Sequence, residues 1–392
     1  MNYARVTDFL RDANGKIYGA RVKNYQNDQA FTVNAKAFVN ATGIFSDSVR
    51  QLANPSLHKR IRPSKGAHIL LPLAIFPTED ALLIPKTEDG RVLFAIPWQR
   101  RLLVGTTHEE VSPEDELVVT KEDVEYLLRH LNQYLASPVS PADIVSGFAG
   151  ARPLVASADE VDTKMLARDD VIEIDPARGL ISIMGGKWTT HRAMAEDTIH
   201  RVQQALGVPR TDSRTRNHVL FGGQDFTDDY WRKLCRQYSV CEKTARHLAG
   251  KFGIASQHVL ALASENTALM QPILEGGGAS CAEVVYSVRH EMACTIEDVL
   301  ARRLGMQFYS WSDAIEAAPA VGSLMAAELG WTSAYTQGAI TEHVKKIDHL
   351  FETAGLSRKA NPSSASGQYA LTERGMGVER SQGTPATIKE IC

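Results

Sequence analysis

Apolar and polar positions alternate along residues 3–10 and again along 16–23, and the two runs are joined by Asp12-Ala13-Asn14-Gly15. Period-two alternation marks half-buried strands, and Asn-Gly readily supplies the positive φ of a tight hairpin turn. A β-meander is therefore predicted, with a third strand near 31–34. Residues 35–41 then form an apolar-rich run ending in Thr42-Gly43, with Ser46 placed to cap a helix from Asp47. Residues 61–107 read as short strands of an antiparallel sheet, punctuated by Pro72, Pro77, Pro85, the turn 87–90 and the turn 99–101. An amphipathic helix is predicted over 121–135. A strand pair at 171–174 and 180–184 follows, ending in Gly185-Gly186 before a helix over 189–206.

Beyond about Asn217 the period changes from two to 3.6. Helices are predicted over 226–238, 242–252, 282–304 and 311–328, and Val284, Val285, Val288, Met292, Ile296, Val299 and Leu300 trace one apolar stripe. Residues 351–392, rich in Ser, Gly, Thr and charge, read as a disordered tail. The fold class predicted is α/β plus α. A mixed α/β part spans 1–50 and 145–210, an antiparallel β part spans 51–144, and a helical part spans 211–350.

Composition narrows the function. With 43 Lys and Arg against 46 Asp and Glu, the net charge of -3 gives no electrostatic case for nucleic acid. The longest strongly apolar stretch, 69–76, is broken by Pro72 and falls far short of the ~20 residues a membrane span requires. The N-terminus lacks the charged-then-apolar layout of a signal peptide, which predicts a cytoplasmic location. Five scattered cysteines without a CxxC pair read as reduced thiols rather than a disulfide framework or a zinc site, and no metal is predicted.

Two strand–glycine–helix units carry the first chemical signal, because glycine lets a backbone approach a cofactor while the next helix start favours negative charge. Either unit alone is as well explained as a tight turn. Other motifs fail on spacing: His290-Glu291 lacks the second histidine of HExxH, and Gly276-Gly277-Gly278 lacks the Gly-Lys-Ser/Thr of a phosphate loop. No Asp-rich calcium loop is present.

Several segments in fixed order are more specific: RPSKGAHILLP (62–72), IPWQRRLLVGTT (96–107), SGFAGARPL (146–154), MLARDDV (165–171) and GGKWTTHRAMAEDTI (185–199). Together with VNATGIFSDSVRQLA (39–53) and EVVYSVRHEMACTIEDVLARR (283–303), they resemble the FAD-dependent glycerol-3-phosphate dehydrogenases over roughly residues 1–335. The resemblance implies a partial FAD-binding Rossmann-like domain, an antiparallel β substrate domain and a C-terminal helical cap. It implies hydride transfer from sn-glycerol 3-phosphate to FAD, release of dihydroxyacetone phosphate, and onward electron transfer to quinone.

By the same resemblance, Arg152, Arg168 and Lys187 grip the substrate, and arginine suits that task because its planar fork bonds phosphate oxygens in pairs. His68 and Arg152 stand as the catalytic residues, with His68 as proton acceptor, since imidazole alone titrates unperturbed near neutral pH. Ala41, Thr42, Gly43, Gly185, Gly186, Lys187, Thr189 and Thr190 stand at cofactor-contacting positions. His191 occupies a slot where many relatives carry Tyr.

The GxGxxG strand–turn–helix of dinucleotide-binding flavoproteins has no counterpart here, and Met1 aligns inside the flavin part, so an N-terminally truncated chain is expected. The competing readings are a non-catalytic remnant or interaction module that does not bind FAD on its own, and a glycine-oxidase-like enzyme acting on a small amino acid. Peripheral attachment at the inner face of the cytoplasmic membrane and a homo-oligomer are further implications of the resemblance.

Overall fold

A computed structural model describes residues 1–156 and 169–358. The strands are β1 (Ala4–Arg11), β2 (Ile17–Asn24), β3 (Ala30–Asn34), β4 (Val39–Asn40), β5 (Ile61–Pro72), β6 (Leu82–Ile84), β7 (Leu93–Trp98), β8 (Arg101–Gly105), β9 (Glu109–Glu110), β10 (Ser146–Val155), β11 (Asp170–Ile174) and β12 (Ile181–Gly185). The helices are α1 (Ser46–Ala53), α2 (Lys121–Leu131), α3 (His191–Ala205), α4 (Tyr230–Tyr238), α5 (Glu242–Phe252), α6 (Ser256–Glu265), α7 (Cys281–Glu291), α8 (Met306–Tyr309), α9 (Trp311–Leu329) and α10 (Ser333–Thr353), with a π-helical turn at Asp298–Arg303. The class is the α/β plus α predicted.

The meander β1-β2-β3 forms as the alternation requires, and Gly15 turns it at φ 81° while the Asp12 carboxylate accepts from the Asn14 and Lys16 amides. The apolar run 35–41 yields only two paired residues, Val39 and Asn40, which lie parallel to Ile181 and Ser182 of β12. Ser46 does not cap α1. Its hydroxyl is buried without a partner among the described residues, and Asp47 anchors the helix instead, accepting from the Arg60 and Ile61 amides at 2.7 Å and from Arg50 at 2.8 Å.

The short strands expected over 61–107 include one long strand. β5 runs twelve residues through Pro63, because its neighbours β10, β8 and β9 satisfy its backbone on both sides. The order β10-β5-β8-β7-β6 makes an antiparallel sheet whose hairpin turn places both Gln99 and Arg100 at positive φ.

One face of this sheet is packed. Ala67, Ile69 and Leu71 of β5, Leu102 and Val104 of β8, and Leu93 and Ala95 of β7 meet Val124, Leu127 and Leu131 of α2 and Trp311, Ile315, Ile347 and Phe351 of the helical part. The opposite face is open along β6 and β7, with Leu83, Phe94 and Ile96 at the surface. Antiparallel sheets commonly bury one face and leave the other to water or ligand.

The stripe predicted over 282–304 is real but not one helix. Val284, Val285, Ile296, Val299 and Leu300 are buried, whereas Met292 takes φ 58°, ends α7 and is half exposed. The chain restarts because Asp298 accepts from the Cys294 and Thr295 amides and from the Tyr3 hydroxyl at 2.8 Å, which also pins the meander to the helices. The capping box of α7 carries fully buried Glu283, bonded by His247 at 3.0 Å and Lys251 at 2.9 Å. Burial pushes this carboxyl up, but His247 and Lys251 outweigh it and hold it down to about 2.

Helix α10 lies beyond the helices that the periodicity predicts, and it carries the chain to Thr353, so the first residues of the expected tail are packed: Phe351 meets Trp311 edge-on at 5.0 Å. The rest of that tail, 359–392, lies outside the described residues. No helix among the described residues is long and apolar enough to cross a membrane. Trp311 joins the sheet to the helices and is 1% exposed, so Trp311→Ala is expected to cost about 3–5 kcal/mol of unfolding free energy, read as a lowered denaturant midpoint with an unchanged slope.

Candidate active site

The open face is built by the register of β5 against β10, an unbroken ladder from Ile61↔Val155 to Leu70↔Ser146. Directly opposed residues of an antiparallel pair project to the same face. Ser64 therefore stands beside Arg152, Gly66 beside Gly150 and His68 beside Phe148, while Gly105 of β8 flanks His68 on the other side. The intervening Lys65 points to the packed face, where it pairs with Asp123 of α2 at 3.0 Å and with Glu109 at 2.8 Å.

Arg152 lies across Gly66 and reaches the next strand, donating to the Thr106 hydroxyl at 3.2 Å. A Cβ on residue 66 would stand 2.5 Å from that hydroxyl and 2.6 Å from the guanidinium, so glycine here makes the space the cation occupies. His68 stacks on Phe148 with ring centroids 5.0 Å apart and planes at 16°. Its Nδ1 is buried without a partner among the described residues, which leaves Nε2 as the nitrogen open to a ligand. Burial first, and then the positive charge of Arg152, lower its pKa from 6.5 to about 4. Both effects penalise the imidazolium, so the ring is neutral at physiological pH and able to accept a proton.

The two glycine turns lie together. β4 and β12 are adjacent and parallel, so the chain leaves both in the same direction, the end of an α/β sheet at which ligands bind. Asn40 fastens one turn to the other strand: its amide donates to the Ser46 carbonyl at 2.9 Å and the Ser182 hydroxyl at 3.2 Å, and its oxygen accepts from the Thr42 hydroxyl at 2.7 Å. Ala41 and Thr42 are exposed, and Gly43, at φ 60°, has open space where a Cβ would be. Gly185 and Gly186 also take positive φ. Lys187, Thr189 and Thr190 are exposed at the start of α3, with the Thr190 amide and hydroxyl both donating to the Lys187 carbonyl at 3.0 Å. His191 stacks on exposed Trp188 at 5.6 Å. The turn at Gly43–Phe45 packs against β5, β10 and β12, which sets it beside the strand bearing Arg152.

Residues 1–201 match a family model described as FAD dependent oxidoreductase. The chain belongs to that family. Residues 213–336 match a second model, the C-terminal domain of alpha-glycerophosphate oxidase. Among the relatives of this chain is a probable mitochondrial glycerol-3-phosphate dehydrogenase of Caenorhabditis elegans, 38% identical over 88% of this chain and 49% of its own length. The mitochondrial glycerol-3-phosphate dehydrogenase of Homo sapiens is 36% identical over 84% of this chain and 47% of its own length. The chain thus spans about half the length of the curated relatives it matches. The structure of a Bacillus halodurans glycerol-3-phosphate dehydrogenase complexed with FAD superposes with a TM-score of 0.77 at 30% identity, covering 92% of this chain and 71% of that one.

Of the residues singled out from the sequence, the fold joins His68 with Arg152, and it joins the 41–43 turn with the 185–190 turn. Arg168 lies outside the described residues. Lys187 forms no ion pair among the described residues. Sequence reasoning passed over Gly66, Thr106, Gly105 and Phe148, although all four lie inside quoted motifs, because only the cross-strand register shows that they touch His68 or Arg152. Gly66→Ala tests the arrangement. The atoms in its way are the mobile ends of side chains, so unfolding free energy is expected to change by about 1 kcal/mol or less while Arg152 is displaced. Anion affinity at this face should then fall by about tenfold, measured by calorimetric titration.

Proposed function

We propose that this chain provides the substrate-binding and proton-accepting face for oxidation of glycerol 3-phosphate to dihydroxyacetone phosphate in an FAD-dependent dehydrogenase. The observation that carries the reading is the pairing of a neutral, desolvated His68 with the Arg152 guanidinium on the open face of the sheet. Its support from likeness is the match to glycerol-3-phosphate dehydrogenases, one of them solved with FAD.

The exposed glycine turns fit a flat cofactor, since Gly43 leaves its Cβ side open and both turns sit at the ends of parallel strands. Ala41, Thr42 and Gly43 on one side, and Gly185, Gly186, Lys187, Thr189 and Thr190 on the other, would hold it. Flavin, when bound, supplies the hydride acceptor. Arg152 holds the phosphate dianion through its fork of N–H donors, and Arg168 and Lys187 are assigned to the same anion. The carbinol is thereby oriented toward His68, whose Nε2 takes the hydroxyl proton while Nδ1 keeps its own. Arg152 does a second task, since its charge adds to burial in keeping His68 unprotonated. Quinone as electron acceptor, peripheral membrane attachment and a homo-oligomer belong to the same proposal.

Calorimetry with glycerol 3-phosphate against glycerol tests the clamp without any cofactor. Arg152→Ala is expected to weaken glycerol 3-phosphate binding about 10- to 100-fold and to leave glycerol unaffected. Equal losses for both ligands would reject the phosphate role. In the FAD-loaded enzyme, His68→Gln should lower kcat about 10²- to 10⁴-fold with little change in KM. The acid limb of wild-type kcat/KM should lie well below 6.5.

Stability follows the same proton. The folded value near 4 lies below the unfolded 6.5, so the unfolded chain takes up the proton first, and stability declines as pH falls from about 6.5 toward about 4. His343, also buried and lowered to about 4, adds to the slope. Denaturant midpoints across that window should flatten in part in His68→Gln.

A further inference from the structure

A general base usually has its ring fixed by a hydrogen bond on the nitrogen that does not react. His68 has none among the described residues, because Nδ1 is buried and unpartnered. Packing must do that work, and the packing leads out of the sheet into the helical part of the chain. On the β8 side the ring lies so close to Gly105 that a Cβ there would stand 2.1 Å from Cδ2. On the β10 side it stacks on Phe148, and Phe148 is in turn met edge-on by Phe308 of α8, with centroids 5.3 Å apart and planes at 83°.

Phe308 is itself held firmly. The Ser146 hydroxyl donates to its carbonyl at 2.6 Å, Arg101 Nε donates to the Tyr309 carbonyl at 2.9 Å, and the Trp311 amide donates to the Val145 carbonyl at 3.1 Å. The Tyr309 ring packs on Trp98 at 5.2 Å. Backbone and side-chain bonds thus fasten 308–311 to the ends of β7, β8 and β10, with the Phe308 ring aimed at Phe148.

We propose that Phe308 is a positioning residue for the reaction, holding the imidazole of His68 in place and away from water through Phe148. The assignment rests on His68 being the proton acceptor. It gives the helical part a direct share in the site: a face-to-face contact fixes the plane of the base, and an edge-to-face contact fixes the residue it leans on. The lowered proton affinity of His68 agrees, since burial is its largest cause. Arg152 on β10 is the charged group that faces the ring. β8 offers only Gly105 beside it, Lys65 faces α2, and α8 contributes the uncharged Phe308.

The test is a histidine-ring NMR titration of the whole chain, with the His68 signal assigned by its loss in His68→Gln. In the wild type the ring should stay neutral down to about pH 5. Phe308→Ala and Phe148→Ala should each raise the midpoint by about one unit toward 6.5, and Phe308→Tyr should restore the wild-type curve. Phe308→Leu keeps most of the volume without the ring and is read in place of the alanine variant if that one unfolds. A midpoint unmoved in a folded Phe308 variant, while Phe148→Ala shifts it, would overturn the role of Phe308. A midpoint unmoved in both would overturn the whole relay. Because this signal needs neither substrate nor flavin, it is independent of the activity assay. Full turnover in His68→Gln would sink the catalytic reading even with the ring packing intact.

Discussion

The site depends on one pairing, the ladder between β5 and β10. Ten consecutive residue pairs in unbroken register set Arg152, Phe148, His68 and Gly66 on one face of the sheet, and a slip of β10 by one residue would turn Arg152 and Phe148 to the other face, away from His68 and Gly66. The register is enforced from the other face. Ala67, Ile69 and Leu71 are fully buried against α2 and the helices, and Lys65 is locked between Asp123 and Glu109. Displacing that face would strand a cation and three apolar side chains at once. The core on one face therefore determines which side chains stand on the other.

Desolvation then gives the face its chemistry. Arginine beside histidine on an open sheet would be an ordinary pair of solvated cations. Phe148 and Gly105 bring His68 close to its strand neighbours, so that the ring stays neutral at the pH where an exposed histidine would be partly charged. The neutral ring in turn lets Arg152 sit nearby without repulsion. A neutral imidazole and a guanidinium can therefore stand side by side on this face without a carboxylate between them.

The helical part is joined to the sheet at two levels. Trp311, Ile315 and Phe351 close the packed face, and the segment ending at Tyr309 supports the open one. Tyr3 and Asn2 tie the meander to the same helices through Asp298 and the Met292 carbonyl. Adjustments in the helices can therefore reach the imidazole through packed rings rather than across solvent.

The alternation that builds the meander, the 3.6-residue period of the helices and the glycines that end β4 and β12 are properties of short windows, so they were legible along the chain. So were the motifs that identify the family, because several of them occur in fixed order. What those windows could not contain was which strands are neighbours. The length of β5 depends on the three strands that flank it, which no window shows, and the helix over 282–304 reads as continuous because a stripe does not show that Met292 turns left-handed. Helix α10, with few apolar residues, owes its place to Trp311 and the sheet beneath it. The sequence by itself determined the residue types to which the chemistry is assigned in the proposed function, His68 and Arg152 among them. Only the tertiary structure decided that they share one face with Gly66, Thr106, Phe148 and Phe308. Cross-strand register and ring packing join residues up to 240 positions apart, as with His68 and Phe308 at the two ends of the aromatic stack, and no local pattern encodes such a contact.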